Sequence, residues 1–507
     1  MIRIGAWFAA GVAGLLALSG CAVGPRYKTP KPDLPGAFAA AASSAADNTS
    51  QAPDLAAWWQ SLHDAELDSL IGRAVKSNFD IEEALTRLQQ ARTYEAVVAG
   101  HALPEIDASA AAARGTGNDL ARGRAQQALV SADNSSGLQH INTLAGFDTV
   151  WELDIFGKYR RQFEAARDVA EANRAARNAV ITSVIADVAR AYVDLRGLQT
   201  RAAVLKNAQA ALAESLRIVN IRYERGITNE LDVMLARREY NALSSRLEPL
   251  NAAVNAAKYS IAVLIGEYPE TLAQELDAAD VVPSAPASIP AGIPLDLLKR
   301  RPDIQEAERQ LAAATARVGV ATADLFPQVA LVASIGSQSQ GWGTTPNIAK
   351  HLWSFGPAAA WPLLDFGALD AQADIADLEA HARLVDYRKT IVAAVQEVDT
   401  ALDEFRAGEQ QLKSLEEAML AAQRAVELAN ERYDRGLTDY LNVVDAERQL
   451  YDLQDQYIVA QVGGDEQFVQ LYKSLGGGWQ NYQTVPRIRM PQPAVIAMFR
   501  RTLAAAK

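Results

Sequence analysis

The sequence contains the same pattern twice, and this internal repeat restricts the fold more than any other feature. Residues 222–238 match residues 432–448 at an offset of 210, with nine identities in 17 positions. Three further residues recur at the same offset: Trp151, Phe156 and Gly157. Asp80-Ile81 and Pro104 recur at an offset of 223, so the first copy carries a loop 13 residues longer. The chain is a tandem duplication, and each copy is expected to form the same unit.

Each copy is expected to contain a very long helix. From Lys158 to Arg222 there is no Pro and one Gly, and a helix of these 65 residues would span ~98 Å. In the second copy, apolar residues from Leu412 to Tyr433 step alternately by three and four positions. This spacing is typical of a coiled-coil seam, and the pattern is too extended for a globular core helix.

A tight turn is expected to end each long helix. The helix-tip turns contain an Arg-Gly pair in each copy: Arg225, Gly226, Arg435 and Gly436. The glycine can adopt the left-handed conformation that a helix end requires. Returning helices are then expected over residues 231–265 and 441–475. Pro249 has Val459 as its counterpart and should kink the first returning helix only.

Between the helices, each copy is expected to form a pair of strands. The four segments lack Lys and are bounded by Pro and Gly; they lie near residues 103–115, 143–156, 326–339 and 352–366. Apolar and polar residues alternate from Gln328 to Ile335, which indicates a strand with one apolar face. Three Trp lie toward strand ends, where the aromatic girdles of membrane strands are found: Trp151, Trp353 and Trp361. Packing on a soluble core is the alternative for any one pair.

The strand count predicts an oligomer. Beyond the N-terminus no stretch is long and apolar enough for a spanning helix, so further membrane crossings should use strands. Four strands cannot close a barrel, and an open sheet edge cannot lie in lipid. Two, three or four copies would give eight, twelve or sixteen strands, and the sequence does not choose among them.

Residues 1–20 are expected to be a lipoprotein signal peptide. Arg3 precedes an apolar region from Ile4 to Leu18. The sequence Leu18-Ser19-Gly20-Cys21 then resembles a bacterial lipobox, in which the Cys thiol takes a diacylglycerol. Cys21 is the only cysteine, although an ordinary signal peptide with an incidental Cys is the alternative. By resemblance to bacterial lipoproteins, Ala22 rather than Asp after the Cys implies delivery to the outer membrane.

Composition and motifs argue against several classes of protein. A net charge of −12 argues against nucleic-acid binding, and one Cys excludes a thiolate zinc site. The five His are scattered, with no pair at the i, i+4 spacing, so no metal site is expected. Residues 476–478 are glycines without the Lys and spacing of a phosphate loop. We therefore expect no enzymatic activity, no metal and no soluble cofactor.

Several motifs resemble those of the TolC-type outer membrane channels, in the lipoprotein branch that includes OprM and NodT-like efflux proteins. The motifs are Cys21-Ala-Val-Gly-Pro25-Arg-Tyr27, Arg300-Arg301-Pro302-Asp303-Ile304 followed by Ala307-Glu308-Arg309, Phe326-Pro327, the paired Arg-Tyr-x-x-Gly tips, and Leu475-Gly-Gly-Gly-Trp479. The similarity covers essentially the whole mature chain. Arg26 departs from the branch, which often has an acidic residue after Gly-Pro.

The resemblance implies an α+β membrane protein, a tandem duplication of a strand hairpin plus long coiled-coil helical hairpins. It also implies a homotrimer with a twelve-stranded outer-membrane β-barrel on a long periplasmic α-barrel. The expected parts are signal peptide 1–20, lipidated N-terminal segment 21–62, repeat 63–265, equatorial linker 266–302, repeat 303–475 and C-terminal segment 476–507.

By the same resemblance, the expected function is that of the outer-membrane channel of a tripartite efflux system in a Gram-negative bacterium. A periplasmic adaptor protein and an inner-membrane pump, of the proton-driven RND type, would deliver small molecules. Cys21 would carry S-diacylglycerol and an N-acyl chain, such as palmitoyl, in outer-membrane lipid. The alternatives are the export channel of type I protein secretion and a structural envelope spacer. A spacer would not need the amphipathic strand pairs.

The resemblance also implies a periplasmic gate at the converging helix tips, in the motif Leu441-Asn442-Val443-Val444-Asp445-Ala446. The family carries two inward acidic residues there, and this chain keeps only Asp445, because Asn442 replaces the first. Three copies of Asp445 would form a carboxylate ring that attracts cations. Tyr433 occupies the family's tip tyrosine, and Thr438 replaces its arginine. Alternatively, Asp445 is a solvated residue beside Arg448.

Overall fold

Both copies of the repeat form the same series of a helix, a β-hairpin, a long helix and a returning helix. The computed structural model describes residues 22–32, 34–42, 55–115, 140–277, 282–286, 294–342 and 350–484. In chain order the helices are α1 (Ala39–Ala42), α2 (Ala65–Ser77), α3 (Phe79–His101), α4 (Lys158–Glu224), α5 (Glu230–Ser244), α6 (Leu247–Leu264), α7 (Pro269–Leu272), α8 (Pro294–Arg300), α9 (Pro302–Ala323), α10 (Ala368–Asp434) and α11 (Tyr440–Ser474). The strands are β1 (Glu105–Gly115), β2 (His140–Leu153), β3 (Gln328–Trp342) and β4 (Lys350–Ala360).

The two longest helices, α4 and α10, each contain 67 residues and would be ~100 Å long at 1.5 Å per residue. Each turns back at its tip into an antiparallel partner, α5 and α6 in the first copy and α11 in the second. This arrangement confirms the two helical hairpins. Among the described helices, none has both the length and the apolar character that a crossing of a membrane requires.

The first returning helix is interrupted where the sequence predicts a kink. Helix α5 ends at Ser244 and α6 begins at Leu247, so Pro249 is the third residue of α6. The first N–H groups of a helix have no partner within it, so a Pro there removes no helical hydrogen bond. The proline is accommodated by restarting the helix just before it. Helix α11, with Val459 at the equivalent position, is continuous.

One antiparallel sheet joins the two copies in the order β1-β2-β3-β4. In one row, Phe147 of β2 lies opposite Ile335 of β3, which lies opposite Trp353 of β4. All three side chains are exposed, and they form one apolar face. In the adjacent row the other face is polar: Ser334 lies opposite Asp148 and Ser354, and the two serine Oγ atoms are 2.6 Å apart. The predicted alternation is therefore confirmed.

The junction from strand to long helix is built the same way twice. Gly157 and Gly367 precede α4 and α10 with φ of 85° and 83°. The indole Nε1 of Trp151 donates to the Ala102 carbonyl at 3.1 Å, and the equivalent Trp361 donates to Leu325 at 3.1 Å. These contacts fix each β-hairpin to the end of the preceding helix, and they explain why the repeat retains Trp and Gly at these positions.

Four helices continue from the sheet as a row. Helices α3 and α9 lead into β1 and β3, whereas α4 and α10 follow β2 and β4. Within the row α3 packs on α4, α4 on α9, and α9 on α10. Helix α3 and strand β1 thus lie at one side of the protomer, and α10 and β4 at the other.

The main hydrophobic core lies midway along the helices, where both copies meet the N-terminal segment and the linker. Trp58 stacks on Tyr472 with ring centroids 5.4 Å apart, and Gly478 N–H donates to the Leu55 carbonyl at 2.7 Å. Trp479 Nε1 donates to the Arg300 carbonyl at 3.0 Å. The described parts of the three equatorial segments are therefore packed together. Residues 485–507 lie outside the described residues, as does the whole of the signal peptide.

Candidate functional site

The helix-tip turns have identical hydrogen bonding in the two copies. In the first, Gly226 N–H donates to the Tyr223 carbonyl and Ile227 N–H donates to Arg222, both at 2.9 Å. In the second, Gly436 and Leu437 donate to Tyr433 and Arg432 at 2.9 and 2.8 Å. This pattern is the Schellman motif, which places a left-handed residue just after the helix. The glycines have φ of 70° and 71°, so the helix-tip turns form where the sequence predicts them.

The two tips of one chain pack against each other through a small apolar core, which we call the tip cluster. Its buried residues come from both hairpins: Val219, Val233, Ala236, Tyr440, Val443 and Val444. The hydroxyl of Tyr440 lies 2.7 Å from Ser215 Oγ on α4. Burial raises the pKa of Tyr440 to about 12, so this hydroxyl is neutral at physiological pH. The cluster therefore connects α11 to the first hairpin near the tip.

Tyr433 lies at the edge of the tip cluster. The guanidinium carbon of Arg222 is 4.7 Å from the centre of its ring, a distance typical of a cation–π contact. Arg222 also forms an ion pair with Asp434, with Nη1 and Oδ1 3.4 Å apart. The Tyr433 hydroxyl is buried and has no hydrogen-bond partner among the described residues. Its bond to a neighbouring copy therefore stays a prediction.

The remaining predicted gate residues form short contacts within α11 and its preceding turn. Asn442 Nδ2 donates to Thr438 Oγ1 at 2.8 Å. Asp445 Oδ1 accepts a hydrogen bond from Arg448 Nη2 on the same helix at 2.7 Å, and both side chains are about half exposed. The structure thus brings Asp445 and Arg448 together, as the alternative interpretation expects. Whether Asp445 also faces a pore concerns the assembly and stays a prediction.

A line of polar contacts joins the two hairpins from the core toward the tips, and we call it the seam. Nearest the core, Lys473 Nζ lies 3.6 Å from Asp187 Oδ1. Toward the tips, Arg201 Nε lies 2.7 Å from Asp455 Oδ1, and Arg246 Nη1 lies 3.5 Å from Asp452 Oδ1. Each contact joins α11 to the first copy and pairs opposite charges. Exposed pairs of this kind contribute about 0–1 kcal/mol each, so the ion pairs themselves stabilise the seam only weakly.

One carboxylate within the seam departs from this pattern. Glu447 of α11 is 8% exposed, and its Oε2 has no hydrogen-bond partner among the described residues. Burial and the nearby negative charge of Glu239 raise the pKa of Glu447 to about 7. Sequence reasoning did not single out this residue. The available signal was its position, because Glu447 follows Tyr440, Val443 and Val444 at the spacing of the apolar face.

The Arg-Arg-Pro-Asp-Ile motif forms a second constellation, at the equator. Arg301 is 8% exposed, and its guanidinium makes a bidentate contact with Asp303 at 3.1 and 2.6 Å. It also donates to the Ser474 carbonyl at 2.9 Å and pairs with Glu397 at 2.8 Å. Burial alone would lower the pKa of Arg301, but these carboxylates raise it. Arg301 therefore connects the start of α9 to α10 and α11.

Cys21 lies just outside the described residues, but its neighbour Ala22 is placed at the base of the β-hairpins. A Cβ at Gly157 would lie 2.7 Å from the Ala22 Cβ. Val23 N–H donates to the Phe156 carbonyl at 3.1 Å, and Arg161 Nε donates to the Val23 carbonyl at 3.2 Å. Within the ranges that the structure describes, no group of three or more His, Cys, Asp or Glu could hold a metal ion.

Comparison with known proteins identifies the family. The model of the outer membrane efflux protein family matches residues 70–267 and 293–477. Nodulation protein T of Rhizobium leguminosarum bv. viciae is 30% identical over 487 residues, covering 96% of this chain and 95% of that protein. The probable efflux pump outer membrane protein TtgC of Pseudomonas putida is 31% identical over 471 residues, covering 91% and 93%. The solved structure of the outer-membrane channel OprN is similar with a TM-score of 0.81 and 33% identity, covering 91% of this chain and all of that one.

Proposed function

We propose that three copies of this chain form the outermost conduit of a tripartite export system. The basis is that the chain belongs to the outer membrane efflux protein family. In this system an inner-membrane pump and a periplasmic adaptor protein pass small molecules to the helical tips. The conduit then carries them across the outer membrane of a Gram-negative cell. The pump is proposed to be of the proton-driven RND type.

The proposal rests mainly on two sides of the protomer, which present strand edges and an apolar helix face without partners among the described residues. Strands β1 and β4 each have one edge without a strand partner among the described residues. On α10, beside β4, three exposed apolar side chains are spaced seven residues apart: Leu378, Val385 and Val392. Apolar side chains at this heptad spacing form a surface that packs against a partner helix in a coiled coil. Neighbouring copies would cover both sides at once, with β4 and α10 of one copy against β1 and α3 of the next.

Closure by several copies also supports a position in the membrane. Unpaired backbone groups at a sheet edge cannot lie in lipid, whereas a closed barrel has no edge. The apolar face of the sheet would then face lipid and the polar face would line the lumen. Three copies of four strands would give the twelve-stranded barrel that family resemblance implies. The long helices would continue this barrel as a periplasmic tube.

Lipid attachment at Cys21 is a further part of the proposal. Ala22, which follows Cys21 in the sequence, is packed at the junction of strands and helices. Acyl chains on Cys21 would enter the membrane beside the barrel. Each buried methylene contributes about 0.8 kcal/mol, so several chains would anchor the N-terminus stably. Mass spectrometry of the mature N-terminus should find the diacylglycerol and an additional acyl chain, and an unmodified Cys21 would refute this part.

Loss of export tests the function itself. A strain that lacks this gene and any redundant channel should accumulate amphiphilic compounds or metal ions, because the pump would have no outlet. Re-expression of the intact chain should restore export, and this serves as the control. If a broad toxicity panel shows no change while a secreted protein disappears from the medium, the channel serves protein secretion instead.

A further inference from the structure

The seam between the two hairpins contains a buried carboxylate, Glu447, whose Oε2 has no hydrogen-bond partner among the described residues. The polar contacts of the seam pair a cation with an anion or are neutral, as with Arg201 and Asp455 or Ser215 and Tyr440. Glu447 of α11 lies between these two pairs along the helix. Its pKa is raised by burial and, to a smaller extent, by the negative charge of Glu239 on α5. A buried carboxylate without a partner destabilises the packing of the elements around it when it is ionised, and a nearby negative charge adds to this cost. The seam is therefore weakest where Glu447 loses its proton.

The other titratable and charged groups near this level do not neutralise Glu447. On α5, Arg238 lies 3.7 Å from Glu239. On α4 and α10, two exposed ion pairs lie within these helices: Glu214 with Arg217, and Arg424 with Glu427. On α11 itself, Asp445 pairs with Arg448, while the hydroxyls of Tyr440 and Tyr451 are uncharged. Among the residues that the structure describes, no cation forms an ion pair with Glu447, so protonation is what removes its charge.

The repeat shows that this carboxylate is not required by the helical hairpin as such. At the offset of 210, the counterpart of Glu447 is Arg237, and the counterpart of Glu239 is Gln449. Arg237 is exposed on α5, whereas Glu447 faces the first hairpin and is buried. Tyr451, one turn from Glu447, lines a cavity of about 520 Å³ beside the break between α5 and α6.

We propose that Glu447 and Glu239 form a proton-dependent latch between the two hairpins of each copy, which closes the seam in acid and loosens it in alkali. Loosening the seam would free the tip cluster, so the latch would bias the periplasmic entrance toward the open state as pH rises. The effect on conductance rests on the proposed channel function. The effect on the distance between hairpins does not.

The sign follows from the protonation states. The pKa of Glu447 is raised from 4.5 to about 7 when the seam is packed, so the packed state binds the extra proton between these values. The favourable contribution to packing is complete below about pH 4.5 and is lost as pH rises to about 7. A shift of 2.5 in pKa corresponds to at most about a 300-fold change in the ratio of packed to loosened seams per copy.

Distance measurements between the hairpins test the latch directly. Spin labels at Arg237→Cys and Gln449→Cys, both exposed positions, would report the separation of α5 from α11 in the full-length assembly. Labelled chains are diluted with unlabelled chains so that distances within one chain dominate. We expect the population of the longer distance to rise at least tenfold between pH 5 and pH 8. In Glu447→Gln, the short distance should persist at both pH values.

Matched variants separate the latch from general effects of pH. Glu417→Gln changes an exposed carboxylate on α10 and should leave the pH dependence intact, whereas Glu239→Gln should shift its midpoint to lower pH. Glu447→Met, which is uncharged and of similar length, should behave like Glu447→Gln. Persistence of the full pH response in both Glu447 variants, or its absence in the parent, would overturn the latch. Conductance in planar bilayers should follow the same pattern, and a complete absence of conductance at every pH would count against the channel instead.

Discussion

Replacing Arg301 should destabilise the equatorial region much more than replacing a surface arginine. In Arg301→Ala, the Ser474 carbonyl loses a buried donor at 2.9 Å, which costs about 1–3 kcal/mol. Glu397 and Asp303 also lose their partner, but their side chains are 46% and 39% exposed and regain water. Each of these pairs therefore adds at most about 1 kcal/mol. We expect a total loss of about 1–5 kcal/mol.

The chain offers a matched control and a conservative variant. Arg217 forms a short pair with Glu214 at 2.6 Å, but both side chains are more than half exposed, so Arg217→Ala should leave the unfolding temperature nearly unchanged. Arg301→Lys keeps the charge but loses the planar fork that contacts three partners, so it should recover only part of the stability.

Thermal unfolding of the detergent-extracted protein, followed by circular dichroism, would rank the three variants against the parent. Hydrogen exchange would show whether the loss begins near residues 301–303 and 474. If Arg301→Ala unfolds at the same temperature as Arg217→Ala, the motif does not hold the equator together and the reasoning from its contacts is wrong.

Three further predictions concern the tips and the helices. Gly226→Ala and Gly436→Ala should each cost about 1 kcal/mol of unfolding free energy, because the added Cβ strains the left-handed backbone. No atom lies within 4 Å of either added Cβ, so no steric clash contributes. Unfolding measurements should compare each variant with Gly36→Ala, whose glycine is equally open but has no positive φ. Asp445→Ala should lower cation selectivity and Tyr433→Phe should raise basal conductance in planar bilayers; unchanged selectivity in the former would remove Asp445 from the constriction. Asp465, 3% exposed, has its pKa raised by burial from 3.8 to about 7, so its ionisation destabilises the fold increasingly from pH 4 to 7. Asp465→Asn can keep the bond from Ala285 N–H at 2.9 Å and should therefore stabilise the protein by at most about 4 kcal/mol at pH 8, and not at pH 4; equal effects at both pH values would contradict this.

Local patterns made much of the fold predictable. The Gly at each helix tip, the absence of Pro from Lys158 to Arg222 and the alternation along β3 are properties of neighbouring residues. The repeat strengthened every such prediction, because each pattern occurs twice. Pro249 illustrates the limit of this reasoning. Its effect on the returning helix was predictable, but the break fell at Ser245 and Arg246, where the chain could place the proline in a first turn.

Contacts between distant segments were less accessible. Arg301 belongs to a recognisable motif, yet its partners Glu397 and Ser474 are 96 and 173 residues away along the chain. The burial of Glu447, with Glu239 nearby, depends on how two hairpins are rotated against each other, which spacing within either helix does not specify. For the same reason, the pairing of Asp445 with Arg448, three residues along one helix, could be foreseen, whereas its orientation in an assembly could not.

The mass of the detergent-extracted particle tests the central claim most directly, because closure by neighbouring copies underlies both the barrel and the conduit. Native mass spectrometry should give about three times the mass of the mature chain, with the strand signature intact and a single water-filled pore in bilayers. A stable monomer that retains its strands would contradict the argument from the open edges of β1 and β4. A dimer or tetramer would preserve that argument but contradict the trimeric channel.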